Sequence, residues 1–181
     1  MLRVKRALDW AAVVHEGQTR KYPGAKVPYV SHIAGVVAIL AGHGFDPDVQ
    51  AAGALHDAIE DAGVTREQIA TKLGEAVARL VVACSEADKS LPWEERKAAY
   101  LAAFPKKPWE AQAITLADKI DNLRSILVCA ADYGDPWAQF KRGRDAQLER
   151  FEALAIAARS LAPHALVAEY EATLEETRRA T

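Results

Sequence analysis

Apolar residues recur along this chain at intervals of three and four, the repeat of a helix face. No stretch pairs strict alternation with the β-branched and aromatic density of strands. The pattern predicts an all-α fold. A first helix from about Leu2 to His15 aligns Val4, Leu8, Ala11 and Val14, with Gly17 where a left-handed C-terminal residue belongs. Beyond a loop through Pro23, Gly24 and Pro28, a second helix from about Ser31 turns Ile33, Val36, Val37 and Leu40 inward and ends at the glycines flanking His43. Asp46 and Pro47 open a third, whose Val49, Ala52, Leu55 and Ile59 face the core until Gly63 stops it. Thr65 to Gln68 forms a capping box for a helix ending near Gly74, and Glu75 to Ser85 reads as the next. Pro92 starts another, closed by Pro105 and Pro108. A long helix from about Pro108 to Ala130 then buries Ile114, Leu116, Ile120, Leu123 and Leu127. Helices of roughly Pro136 to Leu161 and Pro163 to Arg179 complete the pattern.

A chain of 181 residues can bury one substantial core, and residues 1–181 read as a single domain. Its 50% hydrophobic and 27% charged residues are the proportions of an ordinary globular protein. No apolar run reaches about 18 residues, and Met1 to Arg6 lead into an amphipathic pattern instead of a signal-peptide core, so a cytoplasmic protein without a membrane partner is expected. Cys84 and Cys129 sit in apolar helical stretches without a C-x-x-C partner, as buried thiols do. A net charge of -2 and a pI near 6.2 argue against a nucleic-acid partner, which calls for a strongly basic face. The basic pairs Arg20-Lys21, Arg96-Lys97 and Lys141-Arg142 still suit a compact anion, although solvated helix faces also carry such pairs. A homo-oligomer stays open.

The chemistry-bearing residues cluster in three places. In the segment from Ala54 to Asp61, His56-Asp57 and Glu60-Asp61 are spaced so that a helix stacks His56 over Glu60 and Asp57 over Asp61. Like charges at that spacing repel by roughly a few tenths of a kcal/mol, and a divalent cation reverses the sign. Mixed nitrogen and oxygen donors suit Mn, Fe, Co, Ni or Zn better than Ca, while a solvated acidic face with a surface histidine is the plain alternative. In the long apolar helix, Asp118 and Asn122 stack at i and i+4, and a carboxylate buried there needs either a metal or a salt-bridge partner. The third cluster, Pro28-Tyr29-Val30-Ser31-His32, puts a histidine in the first turn of a helix, where capping or core packing is its ordinary work.

Together these stretches resemble the HD-domain phosphohydrolases, whose signature is H…HD…D. More narrowly, Arg20-Lys21, Pro28 to His32, Leu55 to Asp61 and Leu116 to Arg124, with Asp88 to Pro92 and Glu95 to Lys97 between them, resemble the hydrolase domain of RelA/SpoT proteins. The resemblance spans nearly the whole chain. With no synthetase or regulatory sequence following the motifs, it points to the stand-alone small alarmone hydrolases. It implies that His32, His56, Asp57 and Asp118 ligate one divalent ion, usually Mn²⁺, and that the enzyme removes pyrophosphate from the 3′ position of guanosine tetra- or pentaphosphate, giving GDP or GTP. Glu60 and Asp61 match the acidic pair that activates or orients the attacking water, Asn122 matches a substrate contact, and Arg20 and Lys21 match the basic pair beside the nucleotide. Lys97 and Arg142 are added here as further cations that offset substrate charge. Two positions depart from the family's habit: Ala62, where Thr is frequent, and Asp121, where His or Tyr is frequent. An extra carboxylate at 121 near an anionic substrate is expected to shift specificity. An HD phosphohydrolase acting on a deoxynucleotide, a cyclic nucleotide or NADPH is the enzymatic rival, and a nucleotide-binding module without turnover is the other. His15, His43 and His164 read as packing or cap residues, and Trp10, Trp93, Trp109 and Trp137 as core or interface positions.

Overall fold

The computed structural model describes residues 2–85 and 92–181. The Asp88 to Leu91 part of the resemblance and the Trp93 side chain lie outside the described residues. Among the described residues there is no strand; two isolated bridges, Thr19 with Pro28 and Tyr22 with Ala25, shape the loop that precedes His32. Helix α1 (Leu2–Val14) buries Ala7 and Ala11 and stops before Gly17, whose φ of +78° is the conformation the pattern called for. Helix α2 (Val30–Gly42) follows, strongly apolar, burying Ile33, Val36, Val37, Ile39 and Leu40.

The expected third helix is two. Helix α3 (Pro47–Ala54) ends at Leu55 (φ -113°, ψ 11°), and the short helix α4 (Ala58–Ala62) begins only after Asp57 (φ -100°, ψ -2°). At the junction Leu55 bonds back to Ala52 and Ala58 to Leu55, while the His56 imidazole occupies the Gly53 carbonyl at 2.8 Å. A side chain that takes a backbone acceptor competes with the helical ladder, and periodicity cannot reveal that. Asp46 stands at the N-terminus of α3 without a side-chain capping bond, and Pro47 fills the first turn.

Helix α5 (Arg66–Leu73) opens with the capping box in both directions: Thr65 Oγ accepts from Gln68 N at 3.2 Å, and Gln68 Oε1 accepts from Thr65 N at 2.9 Å. Helices α6 (Glu75–Cys84) and α7 (Trp93–Ala103) and a 3₁₀ turn (Phe104–Lys106) lead to the long α8 (Trp109–Asp132). Helix α9 (Gly143–Ala158) starts well after Pro136. Asp135 accepts from the Trp137 amide at 2.9 Å, and the chain turns twice more, Phe140 bonding to Trp137 and Gly143 to Phe140. These turns bury Trp137 against Phe140, so residues 136–142 serve as a corner. Helix α10 (Ala165–Ala180) is capped by His164, whose Nδ1 accepts from Leu166 N at 3.1 Å.

Helix α8 is the axis of the molecule: it packs against α10, α2, α6 and α3, and its Ile114, Leu116, Ile120 and Leu123 are fully buried. Helices α2 and α3 approach so closely that a Cβ on Gly53 would stand 2.5 Å from Leu40 Cδ1. That approach brings the first turn of α2 and the α3–α4 junction to one stretch of α8. No helix among the described residues is long and apolar enough to cross a membrane. Cys84 and Cys129 are both buried free thiols, and burial pushes the Cys84 thiol up to about 12.

Candidate active site

Three elements meet around two imidazoles. His32 comes from the first turn of α2, His56 from the α3–α4 junction and Asp118 from the middle of α8, with exposures of only 2%, 5% and 8%. The His32 and His56 Nε2 atoms lie 3.3 Å apart, and Asp118 Oδ1 is 3.4 Å from the first and 3.8 Å from the second. Each ring is bonded at its other nitrogen, His56 Nδ1 to the Gly53 carbonyl at 2.8 Å and His32 Nδ1 to Asp121 Oδ2 at 2.6 Å. A carbonyl and a carboxylate accept hydrogen bonds, so both Nδ1 atoms carry protons, and with both rings neutral the two Nε2 lone pairs would face each other across 3.3 Å. Only a cation, a proton or a metal ion, relieves that opposition. One ligand atom each from His32, His56 and Asp118 fall within 4.8 Å of one another.

Asp57 stands at the edge of this group, its Oδ2 3.2 Å from His56 Nε2 while it accepts a hydrogen bond from the Tyr29 hydroxyl. Burial and the neighbouring Asp57 raise the Tyr29 hydroxyl far above its ordinary value, keeping it a donor. Burial alone would lower the His56 imidazole, but Asp57 and then Asp118 outweigh it and raise it to about 9. Burial works against the ionised form of both carboxylates, yet His56 holds Asp57, and Lys119 with His32 and His56 holds Asp118, below the usual range. The two carboxylates thus stay ionised although buried, and in the ion-free protein the proton on His56 supplies the positive charge they call for.

The neighbours of Asp118 fix its direction. Lys119 Nζ donates to Oδ2 at 2.6 Å, and Asn122 Nδ2 donates to Oδ1, the oxygen facing the imidazoles. Arg20 Nη2 in turn donates to Asn122 Oδ1 at 2.8 Å and to Ser125 Oγ at 3.0 Å. Asn122 therefore links Arg20 to Asp118.

The cluster forms part of the wall of a cavity of about 640 Å³. Of the residues expected at the site, His56, Asp57, Asp118, Glu60, Asp61, Arg20, Lys21, Lys97 and Asn122 line it. His32 sits behind this wall, reaching the cluster through Nε2. Arg142 is not brought to the lining; its guanidinium is bonded to Glu94, which is a lining residue. The helix break leaves His56 outside α4, while Asp57 is that helix's N-terminal cap and Asp61 N donates to Asp57 O at 2.9 Å, so the expected i to i+4 relation holds along the backbone for Asp57 and Asp61. Asp61 Oδ2 accepts from Gln18 Nε2 at 3.2 Å, and Gln18 Oε1 is bonded to His15 Nδ1 at 2.7 Å. Asp121 does not line the cavity and lies against His32 and, at 4.0 Å, Arg20. The structure thus places it behind His32 and beside Arg20, not in the cavity wall. Sequence reasoning assigned no role to Tyr29, Lys119 or Gln18. Tyr29, three residues before His32, and Lys119, beside Asp118, were legible as neighbours of site residues, whereas Gln18 carried no signal. Aromatic walls come from Tyr22, Tyr100 and Phe140, with Lys21 Nζ 5.0 Å from the Phe140 ring centre. Trp10, Trp109 and Trp137 are absent from the lining, in keeping with packing roles.

A family model described as HD domain matches residues 7–139. The chain belongs to the HD-domain family. The matched span contains His32, His56, Asp57 and Asp118 and ends before Arg142. Among curated proteins, the guanosine-3′,5′-bis(diphosphate) 3′-pyrophosphohydrolase MESH1 of Xenopus tropicalis is 37% identical over 131 residues, covering 71% of this chain and 72% of that one. The human MESH1 is 36% identical over 128 residues, 70% of each chain. The bifunctional (p)ppGpp synthase/hydrolase SpoT of Escherichia coli K12 is 34% identical over 130 residues, which are 68% of this chain and 18% of that one. Among solved structures, a metazoan ortholog of SpoT described as hydrolysing ppGpp superposes with a TM-score of 0.80 at 31% identity, covering 99% of this chain and 95% of that chain. A Listeria monocytogenes EGD-e protein superposes with a TM-score of 0.75 at 34% identity, covering 82% and 99%. This HD-domain chain thus shares its helical architecture over almost its full length with a SpoT-like hydrolase.

Proposed function

We propose that this HD-domain chain is a metal-dependent guanosine-3′,5′-bis(diphosphate) 3′-pyrophosphohydrolase that releases pyrophosphate and leaves GDP or GTP. One divalent ion, Mn²⁺ in this reading, is held by His32, His56, Asp57 and Asp118. The observation that carries the reading is the convergence of the His32 and His56 Nε2 atoms, 3.3 Å apart, with Asp118 Oδ1, beside a cavity whose wall also bears Arg20, Lys21, Lys97 and Lys119. Imidazole nitrogens and carboxylate oxygens are the donor set of a transition-metal hydrolase. The similarity to the pyrophosphohydrolases supports the substrate.

The division of labour follows from the residues. Once bound, the ion supplies Lewis acidity toward a phosphoryl oxygen and lowers the pKa of water. Lys119 secures one oxygen of Asp118 and so leaves the other for the ion side. Tyr29 fixes Asp57 by donating to Oδ2, the oxygen that lies 3.2 Å from His56 Nε2. Arg20, already anchored on Asn122 and Ser125, offers its remaining N–H groups to phosphate, and Lys21 and Lys97 add point charges. Phe140, Tyr22 and Tyr100 give the base an apolar face. Glu60 or Asp61 accepts a proton from water as its oxygen bonds to phosphorus. The bond from phosphorus to the 3′ oxygen breaks, and that oxygen leaves as a hydroxyl by taking back the proton that the carboxylate received from water. A cavity of about 640 Å³ is within the size range of nucleotide-binding pockets. Arg142 acts at one remove, holding Glu94 at the cavity wall.

The test is incubation with Mn²⁺ and guanosine tetraphosphate, alongside a deoxynucleotide, a cyclic nucleotide and NADPH, with products separated by chromatography. GDP and pyrophosphate in equal amounts are expected. Orthophosphate or a nucleoside from another substrate, with the tetraphosphate untouched, would move the assignment to the rival hydrolases. Binding that raises the melting temperature without any product would make the chain a nucleotide-binding module.

A further inference from the structure

His32 is bonded on the edge of its ring that faces away from the ion site. Asp121 Oδ2 lies 2.6 Å from Nδ1, opposite the Nε2 that approaches His56 and Asp118. A carboxylate accepting from Nδ1–H keeps the ring proton on Nδ1 and leaves the lone pair on Nε2. Asp121 comes from α8, three residues beyond Asp118, so one helix delivers both a proposed ligand and a carboxylate that grips a second. Arg20 Nη2 stands 4.0 Å from the same Asp121 oxygen as its counter-charge.

The carboxylate fits only because of what faces it on α2. Gly35, three residues after His32, has no side chain, and a Cβ there would stand 1.9 Å from Asp121 Oδ1. That is inside any real van der Waals contact, so with a methyl group at 35 the carboxylate must leave its place. A glycine in mid-helix is less favourable than alanine. Here it makes room for a hydrogen bond across two helices.

We infer that Asp121 is a positioning residue: seated over Gly35, its carboxylate holds the His32 ring with Nε2 turned toward the ion site, and Gly35, Asp121 and His32 act as one unit. The inference rests on the reading of His32 as a metal ligand. Carboxylate groups behind ligating histidines fix the tautomer and ring orientation, and their loss typically weakens metal binding about 10- to 100-fold. A direct role toward substrate does not fit Asp121, which lies behind the ring and outside the cavity lining.

The test is calorimetric titration of the metal-free full chain with Mn²⁺, and absorption spectra with Co²⁺ in its place. It compares the unmodified protein with Asp121→Ala, Asp121→Asn, Gly35→Ala and the double variant Gly35→Ala/Asp121→Ala. Asp121→Ala is expected to weaken Mn²⁺ binding about 10- to 100-fold and change the Co²⁺ spectrum. Asp121→Asn, which keeps an acceptor oxygen, is expected to restore most of both. Gly35→Ala is expected to weaken binding when Asp121 is present and to add nothing once the carboxylate is gone, so the two changes are not additive. Mn²⁺ affinity of Asp121→Ala within about twofold of the unmodified protein, with an unaltered Co²⁺ spectrum, would overturn the inference while leaving the ligand assignment standing. Fully additive effects of the two substitutions would also overturn it. Failure of the unmodified protein to bind Mn²⁺ would remove the ligand assignment and this inference together. Far-UV circular dichroism checks folding, and if Asp121→Ala unfolds, Asp121→Asn against Gly35→Ala decides on the same criteria.

Discussion

Glu60 and Asp61 are adjacent in sequence yet live in different surroundings. Glu60 is half-buried in the cavity wall, whereas Asp61 is exposed and bonded to Gln18, itself bonded to buried His15. Either carboxylate can take the proton of the attacking water, and neither is among the proposed ligands. Glu60→Gln and Asp61→Asn are therefore expected to keep Mn²⁺ binding while lowering turnover by about 10²-fold or more in at least one of them. Steady-state kinetics beside a metal titration reads both quantities; undiminished turnover in both variants would remove the proton-transfer role. At this scale most of the side chains that the structure brings together were legible in the sequence. His56 and Asp57 form an adjacent pair, Asp118 is a carboxylate in an apolar helix, and His32 opens another. Asp121 was legible only as a departure from the family's habit and was expected near the substrate, because spacing along one helix does not say what the neighbouring helix places opposite. Arg142 was a charge chosen from a basic pair, and a pair of basic residues carries no information about which acid it meets; it meets Glu94.

The helices bear out the pattern wherever local chemistry alone decides an end. The capping box at Thr65 and Gln68, the positive φ of Gly17 and the stop at Gly63 (φ +65°) are all made by a residue and its immediate neighbours. Two elements were misread, for reasons that lie outside the local sequence. Helix α3 breaks because the His56 side chain takes a backbone carbonyl, which aims the imidazole at His32. Helix α9 starts late because Asp135 and buried Trp137 make a corner. Gly53 shows how tightly the elements are registered. Gly53→Ala would set a methyl 2.5 Å from Leu40 Cδ1 on α2, one turn before the His56 junction. Overpacking of this kind costs about 1–3 kcal/mol, and the substitution is expected to lower stability by that amount in urea unfolding. An unchanged unfolding midpoint would mean that α2 and α3 are less closely packed than described.

For the whole molecule, the proposed ion site joins α2, the α3–α4 junction and α8, which also meet through packing and through the His32–Asp121 hydrogen bond. A ligand bound only to the folded state stabilises it by about 2.7 kcal/mol at a hundredfold excess over its dissociation constant. Chelation should therefore lower the melting temperature of the unmodified protein and leave that of His56→Ala unmoved. The dependence on pH has a definite sign. His56 is raised from 6.5 to about 9 in the ion-free protein, so the stability it contributes is fully present below pH 6.5 and is lost as the pH rises toward 9. Mn²⁺ competes with that same proton and binds more tightly as the proton leaves. The gap in melting temperature between Mn²⁺-loaded and chelated protein is thus expected to widen between pH 6.5 and 9. A constant or narrowing gap would contradict the exchange of proton for metal. The central claim, that His32, His56, Asp57 and Asp118 hold one ion, is tested most directly by metal content. Protein loaded with Mn²⁺ and freed of excess is expected to hold about one ion per chain, with almost none in His56→Ala or Asp118→Ala. Close to one ion per chain retained in both variants would contradict it.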